Sequence, residues 1–271
     1  MKQYREIPYN YTSFSDKEVV CRFLGLDAWE LLESLRANRN TGRSARMLFE
    51  VLGDMWVVDR NPYLQEDLIK NQRRWKSLIE ALNSRLDLVR KRAKNNTKVL
   101  ELLHNADLAV AKFELCLSDF KRHKKRIKQA LLKVTHSNNI RFDALSRSSH
   151  ATDATDWRVE YPQVVITPDT ELEIAAIVKA CIELGLTIIP RGGGTGYTGG
   201  AIPLHTQTAV INTEKLSFIG DIKNTDNLQS VNVGAGVITK RVSELAMANN
   251  LVFAVDPTSQ DACTIGGNVA M

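Results

Sequence analysis

The residue types best suited to chemistry are concentrated in one stretch of eleven: Pro190, Arg191, Gly192, Gly193, Gly194, Thr195, Gly196, Tyr197, Thr198, Gly199 and Gly200. Six of the eleven are glycine. Without a Cβ, such a chain reverses tightly and approaches a ligand closely. Successive turns then aim several backbone N–H groups into one concavity, a nest that binds an anion such as phosphate. Thr195 and Thr198 add hydroxyl donors, and Arg191 adds a positive charge. A second element closes the chain, Asp256-Pro-Thr-Ser-Gln-Asp-Ala-Cys-Thr-Ile-Gly-Gly-Asn-Val-Ala-Met271. Its Ser259, Thr264, Gly266, Gly267 and Asn268 again combine small side chains with backbone donors.

Gly194-Thr-Gly196-Tyr-Thr-Gly199 formally matches G-x-G-x-x-G. In a dinucleotide-binding βαβ unit that loop opens directly into a helix, whose N-terminus meets the pyrophosphate. Here Pro203 and the β-branched pair Val210-Ile211 follow instead, and they argue against an immediate long helix. No Gly-Lys-Ser/Thr follows either, so a nucleotide-triphosphate P-loop is excluded.

The elements that must carry these loops change character along the chain. Residues 16–135 read as helical. Ser15 is placed to cap a helix that begins near Glu18. Trp29, Leu32 and Leu35 form one stripe, and Arg46–Trp56 supplies another apolar run. Asn61-Pro62 interrupts the pattern. Leu78, Leu82, Leu86 and Val89, then Leu100, Leu103, Leu108 and Phe113, recur at helical spacing, with a turn predicted at Asn95-Asn96-Thr97. Turn-formers dominate 136–160. Beyond them the period alternates: strands are predicted at Val164–Thr167, Thr187–Ile189, Thr208–Asn212 and Ser230–Gly234. Helices are predicted at Asp169–Leu184, with Ile174, Ile177, Val178 and Cys181 inward, and at Thr239–Asn249. Gly185 and Asn249-Asn250 read as helix ends. The expected organisation is a helical, basic segment over 1–140, a linker over 141–160 and a ligand-binding segment over 161–271.

Charge supports that division. The whole chain of 271 residues carries a net +5. Residues 151–271 hold 7 Lys/Arg and 13 Asp/Glu, leaving 29 of the 36 basic and 18 of the 31 acidic residues to the first 150. The basic run Lys121–Lys128 lies inside a helical pattern with Phe120, Ile127 and Leu131 as its apolar side, so a solvated helix face is expected rather than a nucleic-acid site. Cys21, Cys116, Cys181 and Cys263 are scattered and form no C-x-x-C pair, which argues against a disulfide framework or a metal cluster. His150-Ala-Thr-Asp153 has no partner ligands at metal spacing. No apolar run reaches the roughly 18–20 residues that span a bilayer. The first fourteen residues contain no continuous apolar segment, so no secretory signal is expected and a cytoplasmic location is.

Five motifs in order then carry a resemblance: Thr152-Asp-Ala-Thr-Asp-Trp-Arg, Pro162-Gln-Val-Val-Ile-Thr-Pro, Pro190-Arg-Gly-Gly-Gly-Thr-Gly, Val233-Gly-Ala-Gly-Val and Thr264-Ile-Gly-Gly-Asn. Residues 152–271 resemble the FAD-binding domain of the p-cresol methylhydroxylase and vanillyl-alcohol oxidase superfamily. The branch of bacterial D-lactate, glycolate and D-2-hydroxyglutarate dehydrogenases is the nearest in pattern. The first 150 residues resemble the helical leader of long bacterial FAD/FMN-binding oxidoreductases. The resemblance implies an α+β fold, with a helical N-terminal domain followed by an FAD-binding α+β domain that is incomplete at its C-terminus.

It also implies a cofactor, FAD, embraced by Pro190–Gly200 and by the second element through Pro257, Thr258, Ser259, Asp261, Thr264, Gly266, Gly267 and Asn268. Some family members attach flavin through a histidine in the glycine loop. Here the nearest is His205, beyond Pro203, so non-covalent FAD is expected. The segment Asp153–Arg158 is expected beside the first strand of the flavin domain, in a structural role, with Asp153 near the cofactor. The implied reaction passes hydride from the C–H of a 2-hydroxy acid to flavin N5, the protein supplying position and electrostatics. The family's substrate-binding cap would follow Met271, so no catalytic base is assigned and the chain reads as the front part of a larger enzyme. The alternative is a non-catalytic flavin fold joined to a helical interaction module. Nucleic-acid binding by the basic half is a third reading, and it gives the glycine loop no role.

Overall fold

The computed structural model describes residues 15–37, 42–93, 95–155, 157–225 and 228–270. The first fourteen residues, on which the absence of a signal was argued, lie outside these, as do Asp156 and Met271. The chain divides into two compact units, Met1–His123 and Lys124–Met271.

The first unit is built from helices α1 (Asp16–Leu24), α2 (Leu26–Ala37), α3 (Gly42–Asp59), α4 (Pro62–Lys70) and α5 (Gln72–Ala93), with most of α6 (Thr97–Leu131). Ser15 caps α1 as expected, its hydroxyl accepting the Glu18 N–H at 3.1 Å. The break at Asn61-Pro62 is also a start: the Asn61 side chain accepts the N–H groups of Tyr63 and Leu64, with proline at the first helical position. Leu32, Leu52, Met55, Leu82, Leu86 and Val110 are fully buried in one core, where Trp75 and Phe113 meet with ring centroids 5.2 Å apart. On α6 the inward stripe is Leu103, Ala106, Val110, Phe113 and Leu117. Leu108, expected inside, is exposed. Five residues past Leu103 put it about 140° around the helix from the core. Leu100, also expected inside, is exposed as well, and Leu102 takes the buried position instead.

The second unit holds a four-stranded sheet of β1 (Ile140–Arg141), β2 (Val164–Ile166), β3 (Thr187–Arg191) and β4 (Thr208–Asn212), in the order β1-β2-β4-β3. β1 is antiparallel to β2; β2, β4 and β3 are parallel. A short helix α7 (Ala144–Ser149) follows β1, and α8 (Ile174–Glu183) connects β2 to β3. The two-residue alternation is clean. Val164, Ile166, Ala209 and Ile211 join Ile177 and Cys181 of α8, with Ile127 and Leu131 of α6, in one cluster, while Val165, Ile189 and Val210 form another. Pro190 pairs with Ile211 from the edge strand, where a missing N–H is tolerated.

β5 (Ile219–Thr225) and β6 (Leu228–Val233) form a separate antiparallel pair, followed by α9 (Thr239–Ala248) and α10 (Ile265–Ala270). The two expected helix ends share one geometry. Gly185 (φ 72°) follows α8 and Asn250 (φ 57°) follows α9. The next N–H reaches back, from Leu186 to the Cys181 carbonyl and from Leu251 to the Ala246 carbonyl.

Candidate cofactor-binding site

The site starts where β3 ends. Arg191 pairs in register with Asn212, and its carbonyl accepts the Thr213 N–H at 2.9 Å. Pro190 and Arg191 are therefore strand residues, and the loop proper runs from Gly192. It leaves the sheet at the carboxyl ends of the parallel strands, the edge where open α/β sheets bind ligands.

Two features bring the glycine loop onto the second element. A Cβ built on Gly192 would run into the Thr264 hydroxyl, and one on Gly193 into the Ala262 carbonyl oxygen. Glycine at both places is what lets the two backbones meet. Thr264 is buried, and its hydroxyl also accepts the Gly267 N–H at 3.3 Å. The Gly266 N–H donates to the Ala235 carbonyl at 2.9 Å, which ties in the Val233–Val237 turn. Asn268 donates its side-chain amide to the Thr239 hydroxyl at 2.6 Å, and Thr239, fully buried at the start of α9, lies 3.2 Å from Cys263 Sγ. Thr239 is a site-shaping residue that sequence reasoning missed. A threonine in the first turn of a helix carries no signal that it holds another loop.

The opposite side of the loop is fastened to residues 152–155. Arg191 Nη1 donates to the Thr152 carbonyl at 2.6 Å, and its guanidinium lies under Gly194. Burial pushes the Arg191 guanidinium below its ordinary pKa, and the Asp153 carboxylate opposes that shift. The Gly199 N–H donates to Asp153 Oδ2 at 3.0 Å. Between these fastenings, the backbone N–H groups of Gly193, Gly194, Thr195, Gly196, Tyr197 and Thr198 donate to no group among the described residues. Six consecutive amides, on a half-exposed loop, thus have no acceptor among the described residues and are open to one from outside the protein.

Not every expected residue converges there. Tyr197 is 78% exposed. Gly200 is exposed beside the Thr198 side chain. Pro257, Thr258 and Ser259 form the turn leading to Ala262, with the Ser259 carbonyl accepting from Ala262 and Cys263. The Asp261 carboxylate pairs with Lys240, which raises the lysine's pKa, and it faces solvent. Among the described residues, Pro257, Thr258 and Asp261 make no hydrogen bond to the glycine loop.

Residues 162–271 match the family described as "FAD binding domain". This C-terminal segment is an FAD-binding domain, as the motifs implied. Residues 2–115 match a family described as "Protein of unknown function (DUF3683)". Among characterised relatives, the glycolate oxidase subunit GlcD of Escherichia coli K12 is 36% identical over 40% of this chain and 21% of its own length. The D-lactate dehydrogenase of Archaeoglobus fulgidus is 36% identical over 40% of this chain and 23% of its own. The D-2-hydroxyglutarate dehydrogenase of Xanthomonas citri is 30% identical over 42% and 24%. The chain thus matches only about a fifth to a quarter of the length of these relatives.

Proposed function

We propose that this chain forms the FAD-binding part of an oxidoreductase acting on the CH–OH group of a 2-hydroxy acid, in the class of glycolate, D-lactate or D-2-hydroxyglutarate. One observation carries the reading: the glycine loop and the Ala262–Asn268 element meet backbone to backbone, and six loop amides beside that contact have no acceptor among the described residues. The relatives' names supply the substrate class. FAD, when bound, supplies the hydride-accepting group. The residues of this chain do the binding: loop amides and the hydroxyls of Thr195 and Thr198 hold the diphosphate, and Gly192 and Gly193 let Ala262–Thr264 close against it.

Titration of FAD into the protein is expected to quench flavin fluorescence with a stoichiometry of one. Absence of quenching sinks the reading. Anaerobic addition of the three hydroxy acids to flavin-loaded protein from its native source is expected to bleach the flavin absorbance with one of them. With no histidine between Pro190 and Gly200, the flavin is held non-covalently. Acid precipitation is then expected to leave the yellow colour in the supernatant, and colour in the pellet contradicts it. Four unpaired cysteines fit a reducing compartment such as the cytoplasm. Among the described residues no helix is long and apolar enough to cross a membrane.

A further inference from the structure

We infer that residues 152–155 act as a clamp that sets the shape of the glycine loop before the cofactor arrives, with Asp153 as its positioning residue. The inference rests on the FAD reading above. Three bonds link the two segments. Arg191 donates to the Thr152 carbonyl at 2.6 Å, the Ala154 N–H donates to the Gly196 carbonyl at 3.2 Å, and the Gly199 N–H donates to Asp153 Oδ2 at 3.0 Å. They fall at the start, middle and end of the loop. Asp153 is itself held: its other oxygen, Oδ1, accepts the Thr155 N–H at 2.9 Å and the Thr155 hydroxyl at 2.6 Å.

The pattern separates two jobs. The clamp uses the carbonyl of Gly196 and the N–H of Gly199, while the amides from Gly193 to Thr198 keep their N–H groups unspent. A loop with six glycines pays a large conformational entropy to adopt one shape. Fixing it in advance at three points lowers the ordering that binding must itself supply. Asp153 spends both oxygens on the protein, so its negative charge is matched by N–H and O–H donors and by Arg191 nearby, and it does not need to touch the diphosphate.

The test measures FAD affinity of the full chain by fluorescence quenching for wild type, Asp153→Ala, Asp153→Asn and Thr155→Val. It also measures chymotrypsin cleavage after Tyr197 in the FAD-free protein. A charge-assisted hydrogen bond is the main loss in Asp153→Ala, so its affinity is expected to fall about 10- to 100-fold. Asparagine keeps one acceptor and restores part of it, and Thr155→Val falls by less than alanine does. Loop cleavage accelerates in the same order. FAD binding of Asp153→Ala within twofold of wild type, with unchanged loop cleavage, overturns the clamp. Tighter binding by Asp153→Asn than by wild type also overturns it, because that marks the carboxylate as a charge opposing the diphosphate. If Asp153→Ala fails to fold, Thr155→Val decides the matter by the same two readings. Failure of the wild type to bind FAD sinks the proposed function, and the cleavage series then tests the clamp separately.

Discussion

At His150 the surroundings choose a protonation state. Asn212 uses its side-chain oxygen to accept the Glu214 N–H, so its amide faces His150 Nε2 at 2.9 Å. Nε2 then accepts, and Nδ1–H donates to the Ser146 carbonyl at 2.8 Å. Burial pushes the imidazole below its ordinary pKa, the Ser146 carbonyl pulls the other way, and Arg191 adds to the lowering. The neutral ring therefore contributes stability in full above the ordinary histidine pKa. That contribution is lost as pH falls through the ordinary value toward the lower folded one, because the unfolded chain takes up the proton first. Urea midpoints measured from pH 8 to pH 5 are expected to fall more steeply for wild type than for His150→Gln. Equal slopes would remove His150 from the account. Thr239 shows the same economy. Thr239→Val keeps the volume but deletes the hydroxyl that receives the Asn268 amide. A fully buried polar group left unpaired costs about 1–3 kcal/mol, and the half-buried Asn268 amide falls at the low end of that range. The variant is expected to unfold at a lower urea concentration and to bind FAD more weakly, and Asn268→Ala added to it should have little further effect on affinity.

At the scale of elements, what could be read in advance depended on how local the cause was. The glycine loop, β2, β4 and α9 announce themselves through composition or period and formed where expected; α8 did too, except that it starts at Ile174 rather than Asp169, after a 3-10 turn at Glu171–Glu173. β5 did not. Ile219-Gly-Asp-Ile-Lys-Asn-Thr225 has two apolar residues in seven, with Gly and Asp that strands disfavour. It is a strand because β6, the next strand of the same hairpin, pairs with it across a register shift between Ile219 and Ile222, a cause outside its own seven residues. The break at Asn71 between α4 and α5 was equally silent, with neither proline nor glycine there. The site followed the same rule. Its glycines were legible and Asp153 was expected near the cofactor, but the contacts were not: Asp153 reaches Gly199 of the loop across 46 residues, and Thr239 reaches Asn268 of the second element across 29. Asn250 belongs to the legible class and gives a clean test. Its left-handed backbone suits Asn and Gly but disfavours a branched side chain by about 1–2 kcal/mol. Asn250→Val is expected to lower the thermal midpoint, while Asn250→Gly leaves it near wild type.

For the whole molecule, the two units have separate cores, and the residues assigned to FAD all lie in the second. A ligand that binds one folded unit stabilises that unit by mass action, about 2.7 kcal/mol at a hundredfold excess over Kd. Calorimetry is expected to show FAD moving the unfolding of Lys124–Met271, while Leu86→Ala, which empties a buried site in the other core, moves the unfolding of Met1–His123. A single transition displaced equally by both would contradict that assignment. The strand order has a bearing on how the protein is made. β4 is the last of the four strands in the chain, yet it sits between β2 and β3, which have no edge in common without it. During synthesis β3 has no neighbour to lie against until residue 212 has emerged, and the cradle cannot close until Thr264 follows. Ability to capture flavin is therefore acquired only after the sheet is complete, and in refolding experiments it should lag behind the recovery of helical signal, so that the cofactor selects chains whose sheet is already formed.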